Sequence, residues 1–248
     1  MNWKVAVSKR LKRSPPLFDL ARRTTRLWEQ TPIYQLLAKA SRNLPEVGFI
    51  QIGANDGMSV DPIREFVVAN AHWHGALVEP VPQIFALLRR NYSYLEGKRR
   101  LAFFNVAVSN EEGAQEFWKI KDEYLREFPL FAYGVGSFDR EHIVRHFPNV
   151  PNLESKLQVI QVPCRTYQQI REQAGLADVH LLHMDVEGHE SRILESIDLS
   201  HSAPLIILFE ISHMEEPTRA RIFGMLQNLG YRIEIDGADC LETLRSFD

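Results

Sequence analysis

Phe49-Ile50-Gln51-Ile52-Gly53-Ala54-Asn55-Asp56-Gly57 is a short apolar run that stops at a glycine and continues into turn-forming residues. The pattern is that of a strand running into a tight turn ahead of a helix, with the glycine letting the backbone bend sharply and approach a ligand closely. On either side of it, apolar runs alternate with helical periodicities. Residues 47–52, 76–79, 101–108, 179–185 and 205–211 read as strands, and 60–71, 82–92, 166–174, 189–197 and 217–229 as the helices between them. Such alternation needs crossover connections, and so predicts an α/β domain with a mostly parallel sheet covered by helices on both faces. Two last runs, 231–235 and 240–244, flank Asp236-Gly237-Ala238-Asp239 and predict a closing antiparallel hairpin, bringing the sheet to seven strands.

The chain divides into an N-terminal arm with a helical extension, residues 1–44, and a main domain, 45–248, interrupted by an insertion around 119–157 that is rich in aromatics, proline and charge. Insertions of that length commonly form lids or binding loops. Leu17, Leu20, Ala21, Thr24, Leu27 and Trp28, then Ile33, Leu36, Leu37 and Ala40, recur at helical spacing. These two helices could cap the domain, cover the substrate or form the subunit interface of a homo-oligomer. Residues 1–26 carry eight basic groups against Asp19 alone, which leaves twenty-one basic and thirty-one acidic residues in the remainder. An acidic body argues against a nucleic-acid partner. The arm could make weak contact with an anionic membrane surface, but a solvated terminus is the first expectation. No run of eighteen uncharged apolar residues predicts a transmembrane segment. Cys164 and Cys240, far apart and in no C-x-x-C spacing, argue against a disulfide framework and for a reducing, cytoplasmic setting.

Strand ends in open parallel sheets are where ligands bind. Glu79 closes the second predicted strand, where a carboxylate can accept hydrogen bonds from both hydroxyls of a ribose. The G-x-G-x-x-G dinucleotide pattern is absent, and Asp56 stands where a pyrophosphate would rest. A cationic nucleoside cofactor, S-adenosylmethionine, suits an acidic turn better. Asn55 and Asp56 are also ordinary turn formers.

The sequence resembles the FkbM-type methyltransferases through a series of ordered blocks: 50–57 above, then Val78-Glu79-Pro80-Val81-Pro82, Asn105-Val106-Ala107-Val108-Ser109, Gly136-Ser137, and Met184-Asp185-Val186-Glu187-Gly188-His189-Glu190. The resemblance implies a Rossmann-like methyltransferase fold and transfer of methyl to a hydroxyl oxygen, often of a sugar or other natural product. By the same resemblance Gly53, Asn55, Asp56 and Glu79 bind S-adenosylmethionine, Asn105, Ala107 and Ser109 line the adenine pocket, and Asp185 borders the cofactor. His183, where the family commonly has lysine, and Tyr167, where leucine is usual, depart from the pattern.

Methyl transfer to an aliphatic hydroxyl needs alignment and removal of a proton. Asp185 and Glu210, ending neighbouring strands, should reach one edge together with His189 and His213. Two routes fit these catalytic candidates. His189 or His213 serves as general base with a carboxylate orienting it, or Asp185 and Glu210, with Glu187 or a histidine, hold Mg²⁺ against the acceptor hydroxyl. The base route is the first expectation. Glu190 reads as a helix-dipole complement, and His142 and His146 show no metal-ligand spacing. Gly134 to Ser137 is either a backbone loop over the ligand or a plain turn. The insertion's aromatics, Trp118, Tyr124, Phe128, Phe131 and Tyr133, would suit stacking on a sugar. Competing functions are a non-catalytic adaptor docked through its N-terminal extension and, behind it, a nicotinamide-dependent oxidoreductase.

Overall fold

The computed structural model describes residues 14–16, 19, 31–59, 61–244 and 247, with only the backbone given at Leu130 and Phe131. The basic arm and the first predicted helix, apart from residues 14–16 and Asp19, lie outside the described residues.

The chain then runs α1 (Pro32–Asn43), β1 (Val47–Ile52), α2 (Arg64–Ala69), β2 (Trp73–Val78), α3 (Pro82–Tyr92) and β3 (Leu101–Phe104). Next come β4 (Ala107–Val108), β5 (Gly113–Ile120), two 3₁₀ turns, β6 (Gly136–Ser137), α4 (Arg140–His146), α5 (Leu153–Lys156) and β7 (Leu157–Arg165). It closes with α6 (Tyr167–Gln173), β8 (Leu181–Met184), α7 (Glu190–Ser196), β9 (Ile206–Glu210), α8 (Glu216–Asn228), β10 (Tyr231–Asp236) and β11 (Asp239–Leu244).

Seven strands form one sheet in the order β10-β11-β9-β8-β1-β2-β3, parallel except for β11, which is antiparallel to both of its neighbours. This is the expected Rossmann-like α/β fold with its closing hairpin. All six residues of β1 are buried, as a central parallel strand covered on both faces requires. Its alternate side chains enter different cores. Ile50 and Ile52 join Val78, Met184 and Phe209 on one face, while Val47 and Phe49 join Leu77, Leu181 and Leu208 on the other. Helix α1 starts at a Thr31 cap, whose hydroxyl accepts the Tyr34 N–H at 3.2 Å, and buries Leu37 and Ala40 in the second of these cores. The second N-terminal helix therefore caps the sheet.

Strand register positions the site. Ile52 pairs with both Val78 and Met184, and Met184 with Phe209, so the residues that follow, Gly53, Glu79, Asp185 and Glu210, emerge at one edge. That edge includes the β1/β8 junction, where the strand order reverses and open α/β sheets bind their ligands.

Two expectations are corrected. The predicted strand 101–108 breaks at Asn105, whose amide turns back to the Glu79 and Pro80 carbonyls, and its last two residues leave the main sheet. They enter a second sheet, β4-β7-β5-β6, in which β5 and β7 pair antiparallel over eight residues. The region between 113 and 165 is thus a folded subdomain with its own core, including Ile120, Phe128, Ile143 and Phe147, and not a long loop. Among the described residues no helix is long and apolar enough to cross a membrane. Cys164 and Cys240 are buried free thiols.

Candidate active site

The turn after β1 is fixed by close backbone packing. Gly53 has φ +77°, and a β-carbon there would collide with the Asp185 carbonyl oxygen, so only glycine lets β1 and β8 approach at this point. Asn55 adopts the left-handed conformation at φ 49° and donates its N–H to Glu79 Oε2 at 3.1 Å, while Glu79 Oε1 accepts the Val81 N–H at 2.9 Å. Burial pushes the Glu79 carboxyl up to about 7; the Val81 and Asn55 amides oppose the rise and Asp56 adds to it. Each oxygen accepts one protein hydrogen bond and keeps a lone pair for a ligand hydroxyl.

Asp56 also borders the cleft, but its carboxylate is engaged locally. It accepts the Met58 and Ser59 amides at 2.9 and 2.8 Å and the Ser59 hydroxyl at 2.6 Å. Its side chain shapes the turn. Behind that turn the fully buried Arg64 donates Nη1 to the Gly57 carbonyl at 2.6 Å and pairs through Nε with Asp19 at 2.7 Å. Asn105 Nδ2 holds the Glu79 and Pro80 carbonyls at 2.9 and 3.0 Å, and Ala107 lines a narrow apolar slot with Val78, Val81, Phe117 and Phe138. Ser109, buried behind that slot, is not part of its lining.

Gly53, Gly134 and Asp185 border both this slot and a cleft of about 720 Å³. Gly134 lies against the Asn55 amide, close enough that a side chain would displace it, and the Ser137 hydroxyl donates to the Glu187 carbonyl at 3.0 Å. Gly134 and Val135 therefore border the cleft just before the chain enters β6.

Asp185 lines the cleft and is open to its solvent, although protein surrounds it on most sides. That depth, then repulsion from Glu187, Glu210, Glu190 and Asp239, holds its carboxyl well above the ordinary range. Glu210 borders the same cleft, bonded to the Ser212 hydroxyl and 3.6 Å from His213 Nε2. Burial lowers the His213 pKa; Glu210 opposes the shift, and His142 and His146 reinforce it. Glu190 accepts the Val186 and Gly188 amides at 3.0 and 3.1 Å and clamps the turn after β8, a role more specific than a dipole complement.

His189 departs from expectation. As the cap residue of α7 it packs its ring on Phe138 at 4.6 Å, places Nε2 3.5 Å from Ser109 Oγ, and lines neither slot nor cleft. Burial and then Arg192 lower its pKa to about 4. Local geometry thus removes it as general base. Its place in the carboxylate surroundings is taken by residues that sequence reading passed over. His142 and His146, one helical turn apart on α4, meet Glu187 and His213, with His142 Nε2 2.7 Å from Glu187 Oε2. Among the described residues the group of potential metal ligands whose donor atoms converge contains neither Asp185 nor Glu210, the expected Mg²⁺ pair. The i, i+4 spacing of the two histidines was the available signal. His183 and Gln51 also reach the cleft, and His183 Nδ1 and Gln51 Oε1 have no hydrogen-bond partner among the described residues.

The insertion's aromatics mostly fill its own core. Phe128 is buried there with Trp118 and Tyr124 packed alongside, only Tyr133 of the described rings is exposed, and the Phe131 side chain lies outside the described residues.

A family-wide sequence profile, the methyltransferase FkbM domain, matches residues 51–233. No curated relative matches the chain. Solved structures similar to it include an O-methyltransferase from Bacillus cereus in complex with SAH, at 10% identity and TM-score 0.41, covering 97% of this chain and 93% of that one. A human methyltransferase 10 domain containing protein aligns at 11% identity and TM-score 0.41, covering 96% and 99%. Precorrin-6y C5,15-methyltransferase from Geobacter metallireducens aligns at 9% identity and TM-score 0.39, covering 86% and 87%.

Proposed function

The chain belongs to the methyltransferase FkbM family, and from that premise we propose that it transfers methyl from S-adenosylmethionine to a hydroxyl oxygen of a sugar, glycan or related natural-product acceptor. The observation that carries the reading is the charge of the cleft. Asp56, Glu79, Asp185, Glu187, Glu210 and Asp239 line it or its slot, and no lysine or arginine does among the described residues. Such a wall attracts a sulfonium and an ammonium and repels a pyrophosphate, which disfavours a nicotinamide cofactor.

S-adenosylmethionine supplies a methyl carbon that leaves sulfur as the acceptor oxygen attacks in line. The chain's part is to bind, align and deprotonate. Glu79 offers its two free lone pairs to the ribose hydroxyls, and the slot at Val78, Ala107 and Phe138 takes the adenine. Asp185, which borders both slot and cleft and has a raised proton affinity, accepts the hydroxyl proton, whereas His213, 3.6 Å from Glu210, lines neither. The remaining carboxylates give a polyhydroxylated acceptor hydrogen-bond partners.

Calorimetric titration with S-adenosylmethionine tests the first half. Micromolar binding that Glu79→Ala weakens at least tenfold is expected, and no binding by the parent protein would sink the proposal. Methyl transfer to a panel of glycan and natural-product hydroxyls tests the second half, Asp185→Asn binding cofactor normally but turning over far more slowly.

A further inference from the structure

We propose that His142, His146, Glu187 and His213 form a binding site for one divalent transition-metal ion of the zinc class, bridging the insertion and the main sheet. The two elements contribute equally. His142 and His146 lie on one face of α4 in the insertion, Glu187 follows β8, and His213 follows β9. One donor atom from each lies within 4.8 Å of all the others. Metal–ligand bonds of about 2.0–2.1 Å in a tetrahedral site place donors roughly 3.4 Å apart. Two of the separations fall on either side of that value, 2.7 Å between His142 Nε2 and Glu187 Oε2 and 3.6 Å between His146 Nε2 and Glu187 Oε2.

The groups behind the donors are arranged as a metal site requires. His146 Nδ1 lies 3.3 Å from the His142 carbonyl, which fixes the proton on Nδ1 and leaves the Nε2 lone pair facing the cluster. Glu187 is held in the left-handed conformation at φ 55°, its carbonyl anchored by the Ser137 hydroxyl. Gly188, at φ +96°, leaves room for the His142 ring, since a β-carbon would come within 3.1 Å of Nδ1. The three imidazole rings lie 4.4 to 4.7 Å apart around one carboxylate, an arrangement that one hydrogen bond explains poorly and a shared cation explains well. Three nitrogens and one oxygen select an imidazole-preferring ion, such as Zn²⁺ or Co²⁺, over the oxygen-preferring Mg²⁺.

His146 and Glu187 also line the large cleft, so the ion would pin the insertion at the wall where an acceptor enters. The inference does not depend on the methyltransferase proposal, because its test needs neither cofactor nor acceptor. The purified protein is stripped with chelator, dialysed against one equivalent of Zn²⁺ or Co²⁺, and assayed for bound metal, with thermal melting and the visible absorption of the Co²⁺ form recorded alongside. One equivalent retained, a higher melting temperature with metal, and cobalt bands of a four- or five-coordinate site are expected. His146→Gln and His213→Gln, on different elements, should each weaken binding by at least about 100-fold and abolish the metal-dependent rise in melting temperature, while keeping the stripped protein's circular dichroism. His201→Gln, an exposed histidine outside the cluster, should retain the full equivalent. Metal content below a tenth of an equivalent in the parent protein, or a full equivalent in either cluster variant, would overturn the assignment.

Discussion

On the β1–β2 side of the cleft, acidic side chains are held by the backbone. Glu79 takes the Asn55 and Val81 amides, and Asp56 takes those of Met58 and Ser59. On the β8–β9 side, among the described residues, Glu190 is held that way, whereas Asp185 is crowded by Glu187 and Glu210, and Glu187 meets three histidines. Backbone amides immobilise a carboxylate and offset its charge, which suits recognition of a fixed ligand shape. Asp185, crowded by other carboxylates and without such a donor, has a raised proton affinity, which suits moving a proton near neutral pH. Under the proposed function, one edge of one sheet carries a binding half and a reacting half.

The sharpest way to break this comparison is Asp185→Asn. Removing a general base costs about 10² to 10⁴ in rate, and because the ribose carboxylate lies on the other half, cofactor affinity should change less than threefold, or about 0.7 kcal/mol. Single-turnover methyl transfer set beside calorimetry separates the two effects, and equal losses in both would dissolve the division. Stability supplies the second test. Arg64→Met removes the cation paired with buried Asp19, to which the Tyr94 hydroxyl still donates, and the hydrogen bond to the Gly57 carbonyl, so unfolding in urea should show a loss of about 3–5 kcal/mol. A loss below about 1 kcal/mol would mean that the cofactor turn does not depend on this buried frame.

Glu79 ties the binding half to pH. Its carboxyl holds a proton more tightly in the folded protein, at about 7, than at its ordinary 4.5. It therefore contributes stability that is fully present below about pH 4.5 and is lost as pH rises through about 7. Ligand binding runs the other way, since only the ionised form offers acceptors to both ribose hydroxyls. Affinity for S-adenosylmethionine should fall below pH 7, approaching tenfold per unit, and Glu79→Gln should bind weakly with a flat pH profile. A parent profile equally flat from pH 6 to 8 would remove Glu79 from ribose recognition.

How much of this was legible in the sequence differs between the halves for physical reasons. The apolar run through Ile52 and the acidic residues after β2 and β8 and at the end of β9 could be read because a central parallel strand is buried on both faces and its register brings strand ends to one edge. The second sheet could not. β5 and β7 carry polar residues on an exposed face, Pro163 weakens the strand signal in β7, and their pairing is settled by tertiary contact. His142 and Glu187 stand 45 residues apart, so no local spacing reveals that they meet. The motif around His189 is that of a site, but no local pattern shows that its cap geometry turns the ring toward Phe138.

Asp56 makes the finest test, because its residue type suits two roles that its surroundings distinguish. A carboxylate that directly binds a cationic ligand loses much of its contribution when neutralised. One whose oxygens are committed to the Met58 and Ser59 amides and the Ser59 hydroxyl loses little when asparagine supplies the same acceptor. Asp56→Asn should therefore cost under about 1 kcal/mol in both cofactor affinity and stability, while Asp56→Ala, which leaves those amides without their acceptor, should cost roughly 1–2 kcal/mol in stability. Calorimetry and urea unfolding on the two variants decide between the roles: a large affinity loss in Asp56→Asn at unchanged stability would show that the side chain itself contacts the cofactor and that the binding half has a second ligand-facing carboxylate beside Glu79.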